Sequence, residues 1–484
     1  MNMHQPEQRA LLDPADRRPV HFVGIAGAGM SALAELFVRR GIPVTGCDAA
    51  LAGAADLARL GVPLSAGHDP GHVNNVRALV VTSAMAKDHP ELVRALELGI
   101  PVIRRAEALG AAVNPGRLVA VAGTHGKTTT TTLATEALAA AGFNPTGVVG
   151  ARVAAWEGNL RRGGDDVFVV EADEYDRSFL ALTPHVAVVT NVEADHLDIY
   201  RDLVDIRATF AQFVRGARYV VLCADDPGAA SVPLPPSAEI IRYGAEAPLS
   251  GPASTGLRSP VRGLAAARLV AYDVRLGAAA TSFAVTFDGD RLGEITLRLP
   301  GLHNVRNALA AIGAGLALGA GFDAMRTGLA AAVGAERRFQ RLGDAGDVTV
   351  VDDYAHHPTE IAATLDAARA AFPGRRIVAA FQPHLYSRTR DFAGAFGEAL
   401  ARADAIFLTE IYPAREQPIS GVSATLIATA VERAGRTVDW RGARHELAAA
   451  LARAVRAGDV VLTIGAGDIT QTGPELLQRL AETT

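Results

Sequence analysis

Short apolar runs that alternate with glycine-rich turns and helical stretches constrain the fold of this chain more than any other feature of its sequence. From Val20 the order is an apolar run (VHFVGI), a glycine turn, a helical stretch (MSALAELFVRRG) and a second apolar run (PVTGCD). Two further apolar runs, ALVVTS and IPVIRR, lie on either side of the helical stretch PELVRALELG. Strands separated by helices in this order indicate a parallel sheet covered by helices, so we predict an α/β fold.

The alternation begins again twice farther along the chain. After a predicted linker at 111–117 (AAVNPGR), the run LVAVAG opens a second sheet that continues through DVFVVEAD, VAVVTN and YVVLCADD. The runs RLVAYDVRL, TSFAVTF and EITLRLPG then predict a small antiparallel sheet with Asp-Gly-Asp as one turn, and helices follow at about 303–319 and 321–333. The runs VTVVDD, RIVAAFQ, AIFLTE and DVVLTIG predict a third α/β unit.

The length of 484 residues agrees with three domains, because a single hydrophobic core stops growing well below that size. We predict domains at 1–115, 116–334 and 335–484. The composition, with 49% hydrophobic and 20% charged residues, is that of a globular protein.

Charge, hydropathy and cysteine content argue against several classes of protein. A net charge of −5 is unusual for a nucleic-acid-binding protein. The longest apolar run, Ala308 to Phe322, is shorter than the ~20 residues that a membrane-spanning helix needs. Cys47 and Cys223 offer neither a disulfide framework nor a metal-ligand spacing, and the polar N-terminal stretch is unlike a secretion signal. We expect a cytoplasmic monomer or homodimer that binds no nucleic acid and does not insert into membranes.

One stretch has the context of a phosphate-binding loop. Gly123-Thr-His-Gly126-Lys127-Thr128 lies between an apolar strand and a helix rich in Thr and Ala, so that successive amides and a helix N-terminus would face an anion. The usual loop has a glycine five positions before Gly126, where this chain has Val121. The shorter loop removes no ligand, because Lys127 can still bridge terminal phosphates and Thr128 can still hold Mg²⁺. The predicted ATP-binding residues here are Gly123, Thr124, His125, Gly126, Lys127, Thr128 and Thr129.

The rarity of lysine supports this interpretation. Only Lys87 and Lys127 are lysines among the 47 Lys and Arg residues of the chain. A lysine retained directly after Gly126 is therefore informative, since a compact ammonium fits against phosphate oxygens in a way that a planar guanidinium does not.

Acidic and histidine residues follow two of the predicted strands in the second sheet, in VVEADEYDRSFL and TNVEADHLDIY. Open α/β sheets bind ligands at the carboxyl ends of their strands. Glu171 and His196 could both reach an Mg²⁺ ion at the loop, so the predicted metal ligands are Thr128, Glu171 and His196. Such residues are often only helix caps or solvated loop residues.

The first domain has a glycine turn of its own. Gly27-Ala28-Gly29-Met30-Ser31 follows a strand and opens a helix, and Asp48 ends the next strand. This pattern is typical of dinucleotide-binding turns. It fits any diphosphate, so an NAD site and a UDP-sugar site remain open at this point, as does a purely structural turn.

The third domain contributes VDDYAHHPTEI, with His356 and His357, and FQPHLYSRTRDF, with His384, Arg388 and Arg390. Adjacent histidines on a strand point to opposite faces, which disfavours a shared metal. Arginines near a helix start are better explained as ligands of a carboxylate or phosphate.

Taken together, these motifs resemble the Mur ligase family. VAGTHGKTTTT, VEADEYDRSFL, NVEADHLDIY, PGLHNVRNALAA, ERRFQ, DDYAHHPTEI and FQPHLYSRT occur in that order after HFVGIAGAGMSALAE. The resemblance implies an N-terminal Rossmann-like UDP-binding domain, a central P-loop ATPase domain with a parallel sheet plus a small antiparallel sheet, and a C-terminal Rossmann-like domain that brings an amino acid. It also implies that Gly-Thr-x-Gly-Lys-Thr is the family's own shorter loop.

The resemblance further implies a reaction and its residues. ATP and Mg²⁺ would activate the lactyl carboxylate of UDP-N-acetylmuramate as an acyl phosphate, which L-alanine would then attack. Lys127, Glu171 and His196 would be catalytic; His303, Asn304, Asn307 and Arg338 would complete the ATP site; Gly27, Ala28, Gly29, Met30, Ser31, Asp48 and Ser83 would bind the UDP-sugar; and Tyr354, His384 and Arg388 would bind the amino acid.

One departure from the wider family favours its alanine-adding branch. Several sister ligases hold a second Mg²⁺ with a carbamylated lysine, and this chain has no lysine after Lys127. A ligase that recycles whole murein tripeptides would keep the ATP site and change the C-terminal pocket. A nicotinamide-dependent regulator of transport would use the first glycine turn, but it would leave the loop at Lys127 unexplained.

Overall fold

The computed structural model describes residues 11–13, 15–82, 85–248, 267–277, 280–414 and 416–483. Its strands form three sheets that follow one another along the chain, each flanked by helices. The predicted α/β class is thereby confirmed. In the described part of the chain, no helix has both the length and the apolar character required to cross a lipid bilayer.

The first sheet is parallel and has the order β3-β2-β1-β4-β5. Its strands are β1 (Val20–Val23), β2 (Val44–Asp48), β3 (Leu64–Ala66), β4 (Ala78–Val81) and β5 (Val102–Arg104). Its helices are α1 (Ala28–Arg39), α2 (Ala55–Arg59), α3 (Pro90–Glu97) and α4 (Arg105–Val113). The predicted linker is shorter than expected, because 111–113 complete α4 and β6 begins at Arg117.

The second sheet has ten strands in the order β15-β14-β13-β12-β11-β10-β6-β9-β7-β8. They are β6 (Arg117–Ala122), β7 (Thr146–Val153), β8 (Gly158–Arg161), β9 (Val167–Glu171), β10 (Val186–Val189), β11 (Tyr219–Cys223), β12 (Glu239–Ala245), β13 (Leu269–Leu276), β14 (Thr281–Phe287) and β15 (Asp290–Leu297). The three antiparallel strands β13 to β15 are present, but β13 pairs in parallel with β12 and so continues the main sheet.

The third sheet has the order β16-β17-β21-β18-β19-β20. Its strands are β16 (Gln340–Ala345), β17 (Val348–Asp353), β18 (Ile377–Phe381), β19 (Ala405–Thr409), β20 (Trp440–Gly442) and β21 (Val460–Ile464). The two edge strands, β16 and β20, were not predicted from the sequence. β16 carries a glycine and two charged residues and β20 has only three residues, so neither has the apolar run that indicates a buried strand.

The remaining helices cover the second and third sheets. They are α5 (Lys127–Ala140), α6 (Leu203–Val214), α7 (Pro227–Ala230), α8 (Leu302–Ala317), α9 (Phe322–Ala331), α10 (Pro358–Ala371), α11 (Tyr386–Leu400), α12 (Thr425–Arg433), α13 (Arg444–Ala454) and α14 (Thr472–Thr483). Helices α8 and α9 lie close to the two predicted at this place.

Helix α5 is buried although it begins with a run of threonines. The hydroxyls of Thr131, Thr132 and Thr135 donate to backbone carbonyls four residues earlier, at 2.8, 2.9 and 2.7 Å. A buried hydroxyl without a partner is costly, and this back-bonding avoids that cost within the helix itself. The helix behind the phosphate loop can therefore pack tightly against β7 and α8.

Candidate active site

The glycine loop between β6 and α5 has a backbone that only glycine adopts easily. Gly123 has φ +140° and Gly126 has φ +80°. A Cβ atom at Gly126 would lie 2.5 Å from Asn307 Oδ1, and one at Gly123 would collide with Thr190 Oγ1. The loop is held from β10, because the His125 amide donates to Asn191 Oδ1 at 2.7 Å. The two glycines and the contact with Asn191 therefore fix the shape of the loop.

The Lys127 ammonium is held inside this loop. Nζ donates to the carbonyls of Gly123 at 2.7 Å and Thr124 at 3.3 Å, and lies 2.8 Å from Glu174 Oε2. Burial acts to lower the pKa of Lys127, but the carboxylates of Glu174 and Asp173 outweigh it and raise the pKa. The loop thus presents a permanent cation.

Thr128 and Glu171 form an oxygen-rich pair beside the lysine. Thr128 Oγ1 lies 3.0 Å from each carboxylate oxygen of Glu171, and the Gly150 amide donates to Glu171 Oε2 at 2.7 Å. Hydroxyl and carboxylate oxygens are the ligands that Mg²⁺ prefers, so these two residues fit a magnesium ion.

His196 has different neighbours from the other two predicted metal ligands. Its Nε2 lies 3.6 Å from Glu174 Oε1 and 3.8 Å from Asp195 Oδ2. Burial acts to lower the pKa of His196, but Glu174 and Asp195 outweigh it and raise the pKa. A metal binds the neutral imidazole, so a proton on this ring would have to leave before His196 could serve as a ligand.

A cavity of about 740 Å³ brings elements of all three sheets together. The sequence-predicted residues among those that line it are Gly27, Ala28, Gly29, Met30, Thr124, His125, Gly126, Lys127, Thr128, Glu171, His196, Arg338 and Tyr354. A second cavity of about 280 Å³ is lined on the other side of the loop by His125, Gly126, Thr129, His303, Asn304, Asn307 and Arg338. Because His125, Gly126 and Arg338 line both, the loop lies between the two cavities.

In the smaller cavity, the two asparagines of α8 are hydrogen-bonded to each other and to α5, the helix that follows the loop. Asn304 Nδ2 donates to Pro300 O at 2.7 Å, and Asn307 Nδ2 donates to Asn304 Oδ1 at 3.1 Å. Asn307 Oδ1 in turn accepts from Thr130 Oγ1 at 3.2 Å. Burial lowers the pKa of His303 to about 4, so its ring is neutral near pH 7.

At the first glycine turn, the Asp48 carboxylate binds backbone. Oδ2 accepts from the Ala26 amide at 3.0 Å and Oδ1 from the Ala50 amide at 3.2 Å. The Ser31 hydroxyl donates to Ala28 O at 3.0 Å. Both side chains therefore support the turn itself, and neither is among the residues lining the larger cavity. Ser83, predicted to bind the UDP-sugar, lies outside the described residues.

The predicted amino-acid residues divide into two groups. Tyr354 lines the larger cavity, with the guanidinium groups of Arg337 and Arg338 at 4.9 and 5.1 Å from its ring centroid. Arg388 instead pairs with Asp195, its Nη2 lying 2.9 and 3.2 Å from the two carboxylate oxygens. His384 accompanies Arg388, with its Nδ1 3.3 Å from Nη1.

Four acidic residues of the site were not predicted from the sequence: Glu174, Glu193, Asp195 and Glu360. Glu174 and Asp195 stand three and one residues from predicted ligands, within the motifs EADEYD and EADHLD, where their separate roles had no sequence signal. Glu193 and Glu360 flank His125, at 3.7 and 3.3 Å. Burial opposes protonation of His125, but these carboxylates raise its pKa to about 9.

Family models match most of the chain. The model of the Mur ligase family catalytic domain matches residues 19–117, that of the Mur ligase middle domain matches 121–315, and that of the Mur ligase glutamate ligase domain matches 337–467.

Individual relatives match over nearly full length. The UDP-N-acetylmuramate–L-alanine ligase of Salinibacter ruber is 43% identical, covering 96% of this chain and 95% of that protein. Its counterpart in Kineococcus radiotolerans is 46% identical, covering 96% of both. The crystal structure of the UDP-N-acetylmuramate–alanine ligase MurC of Thermotoga maritima is 28% identical, with a TM-score of 0.80 over 96% of this chain and all of that one. A murein peptide ligase of Psychrobacter arcticus, 24% identical with a TM-score of 0.69 over 96% of this chain and 99% of its own, shares the fold.

Proposed function

Because this chain belongs to the Mur ligase family, we propose that it is an ATP-dependent ligase that joins L-alanine to the lactyl carboxylate of UDP-N-acetylmuramate in peptidoglycan synthesis. The observation that carries the proposal is the cationic loop at Lys127, which faces a cavity lined by residues from all three sheets. A reaction of three substrates needs one cavity that all three can reach.

The first step meets an electrostatic barrier that the loop is suited to lower. A carboxylate that approaches a triphosphate is repelled by about 4 kcal/mol per charge pair at ~4 Å and an effective dielectric of 20. The Lys127 ammonium, fixed by two carbonyls and Glu174, offers a positive charge that needs no rearrangement of the loop. The carboxylate oxygen bonds to the γ-phosphorus, the bond to the β-phosphate oxygen breaks, and ADP leaves.

We propose Mg²⁺ as the second source of positive charge, held by Thr128 and Glu171. When bound there, the ion would neutralise phosphate oxygens and polarise the γ-phosphoryl group. His196 would then act through Glu174, which it contacts, rather than as a third direct ligand.

The two cavities suggest where the substrates lie. We propose that the smaller cavity, with neutral His303 and the braced Asn304 and Asn307, takes the nucleoside of ATP. The turn at Gly27–Ser31 would take the UDP diphosphate at the start of α1. In the second step the alanine amine nitrogen bonds to the acyl carbon, the bond from that carbon to the phosphate oxygen breaks, and phosphate leaves while the nitrogen loses a proton to solvent.

The domain limits and the amino-acid site belong to the same proposal. We propose domains for UDP-sugar, ATP and amino acid at 1–115, 116–334 and 335–484, which place one sheet in each. Tyr354, His384 and Arg388 remain our candidates for the alanine end. Arg388 would serve there once its carboxylate partner Asp195 gives way to the carboxylate of alanine.

A phosphate-release assay tests the function. The purified chain is given ATP, Mg²⁺ and UDP-N-acetylmuramate, and each amino acid is supplied in turn. We expect release to depend on the sugar nucleotide and to be fastest with L-alanine. Preference for a tripeptide over alanine would support the recycling ligase instead, and NAD binding without phosphate release would contradict the proposal entirely.

A further inference from the structure

A cluster of histidine, cysteine and glutamate side chains lies in the first sheet, apart from both cavities. His21 on β1, Cys47 on β2, His72 in the turn of helix at Pro70–Val73 and Glu91 on α3 place one donor atom each within 4.8 Å of one another. Four separate elements therefore supply one compact set of donors, which no spacing in the sequence revealed.

The cluster is buried where polar groups are costly. Glu91 and Cys47 are fully buried and His21 is 2% exposed. The Cys47 thiol donates to Glu91 Oε2 at 3.1 Å, His72 Nδ1 lies 2.7 Å from Glu91 Oε1, and His21 Nε2 lies 3.9 Å from Glu91 Oε2. The other three donors therefore all face the Glu91 carboxylate.

One buried donor atom in the cluster has no hydrogen-bond partner. His21 Nε2 is enclosed and unpaired, although its other nitrogen, Nδ1, lies 2.8 Å from Thr45 Oγ1. In the tautomer that donates from Nδ1 to Thr45 Oγ1, the Nε2 lone pair is available to a cation that also contacts Glu91. Metal-bound histidines in proteins have this arrangement, in which an outer partner fixes the tautomer.

We propose that His21 Nε2, Cys47 Sγ, His72 Nδ1 and one Glu91 oxygen form a site for a tetrahedral transition-metal ion of the Zn²⁺ class. Bond lengths of about 2.0–2.3 Å place the donors of such a site about 3.3–3.8 Å apart, so the side chains need only small shifts. A thiolate with two imidazoles selects Zn²⁺ over Mg²⁺, which prefers oxygen alone. On binding, the thiol proton of Cys47 and any proton between His72 and Glu91 pass to solvent.

The ion would stabilise the turn that opens α1. The carbonyl of Cys47 accepts from the amides of Gly24 at 2.8 Å and Ile25 at 3.1 Å, and Asp48 next to it holds the Ala26 amide. An ion that fixes Cys47 therefore fixes the strand end to which the glycine turn is bonded.

Cobalt titration of the full-length, chelator-treated chain tests the site. We expect one Co²⁺ per chain, with the visible absorption of a tetrahedral ion and a near-ultraviolet thiolate-to-cobalt band, both lost when Zn²⁺ is added. Zn²⁺ should also raise the Tm, because it binds the folded state. The thiolate band separates this site from the two other groups of donors, His68 with His89 and Glu91, and His125 with Glu193 and His357, neither of which contains sulfur.

Matched variants locate the metal. Cys47→Ser should lose the thiolate band, whereas Cys223→Ser, at the other buried cysteine, should keep it. Thr45→Val should weaken metal binding by roughly 10- to 100-fold, the usual cost of an outer partner. If Cys47→Ser fails to fold, His72→Gln replaces a ligand that is 23% exposed, and its affinity should fall by more than Thr45→Val causes.

Two results would overturn the site. One is a wild-type chain that takes up no stoichiometric Co²⁺ or Zn²⁺ and shows no rise in Tm, which would leave the cluster a hydrogen-bonded network. The other is a folded His72→Gln variant that binds Zn²⁺ as tightly as the wild type.

Discussion

Two ion pairs hold the principal cations of the candidate site, and they are built differently. Lys127 pairs with Glu174 inside the second sheet's own loop region, and two of its contacts are to carbonyls three and four residues earlier. Arg388, at the start of α11 beside the third sheet, pairs with Asp195, which follows β10 of the second. One pair is local, whereas the other joins two sheets.

The two pairs should therefore contribute differently. Lys127 should matter for the reaction, whereas Arg388 should matter also for the contact between the second and third sheets. The position of the Lys127 ammonium is set by its own loop, so a change there should alter phosphate chemistry while the sheets stay in place. Arg388 and Asp195 are 6% and 7% exposed, so removal of either leaves a buried charge without its partner. Loss of one member of such a pair typically costs about 3–5 kcal/mol. Changes at Arg388 should therefore affect both stability and binding.

The largest effect is expected from Lys127→Arg. It keeps the positive charge, but a planar guanidinium cannot occupy the space in which the ammonium meets Gly123 O, Thr124 O and Glu174, so ligation should fall below about a tenth of wild type. Phosphate release at saturating substrates measures this, with Lys87→Arg, at an exposed lysine, as the control that keeps full activity. Substantial activity in Lys127→Arg would disprove the bridging role.

Arg388→Ala is expected to come next. If Arg388 receives the alanine carboxylate, the KM for L-alanine should rise roughly 10- to 150-fold, far more than the KM for ATP, for the loss of one charge-assisted contact. Acyl phosphate formation precedes the amine, so borohydride should still trap the activated muramate in the absence of alanine.

Asp195→Asn is the matched variant for Arg388. It should lower the Tm as Arg388→Ala does, because both break the buried pair, but it should leave the alanine KM near or below that of the wild type. Equal effects of the two variants on Tm and KM would show that Arg388 only joins the sheets. Failure of trapping together with a raised KM for ATP would place Arg388 at the γ-phosphate.

Smaller effects are expected from Glu171→Ala and His196→Ala. Both should raise the Mg²⁺ concentration for half-maximal turnover, by about tenfold for Glu171, which loses a contact worth about 1.5 kcal/mol. The effect of His196 should be smaller, because its ring contacts Glu174 rather than Thr128. Direct binding of UDP-N-acetylmuramate without ATP should be unchanged. Severe loss of sugar binding would contradict the domain assignment.

The smallest expected effect is the pH dependence of stability that His125 causes. Its pKa is raised to about 9 by Glu360 and Glu193 against the effect of burial, so its stabilisation is complete below about pH 6.5 and is lost as the pH rises through 9. Between pH 8 and pH 10 the free energy of unfolding of the wild type should fall by about 1.3 kcal/mol more than that of His125→Gln, which lacks the titrating ring. Urea unfolding at both pH values measures this.

The exposed His445 provides the control for that comparison, since His445→Gln should follow the wild type at both pH values. A gap between wild type and His125→Gln that does not change with pH would mean that His125 is neutral in the folded protein.

Much of the fold and part of the site followed from local sequence. Most strands of the three sheets and the helices near 303–319 and 321–333 were predicted, because buried apolar runs have a period that chain geometry imposes, but β3, β7, β8 and β12 were not. The glycines at 123 and 126 follow from the same short-range rules, whereas Thr128 and Glu171, 43 positions apart, were placed together only by the rule that strands of an open α/β sheet bind ligands at their carboxyl ends. The edge strands β16 and β20 were not predicted either, because β16 is polar and β20 is short, so neither contains an apolar run with that period.

By itself the sequence determined the α/β class, the phosphate loop and a cation at Lys127, since each depends on residues within a few positions of one another. Only the tertiary structure decided that Arg388 meets Asp195, and that His21, Cys47, His72 and Glu91 converge in the first sheet. Those contacts join residues far apart in the chain, and they exist only because sheet order and packing bring separate strand ends and helix starts to one place. Local propensity carries no information about such distances.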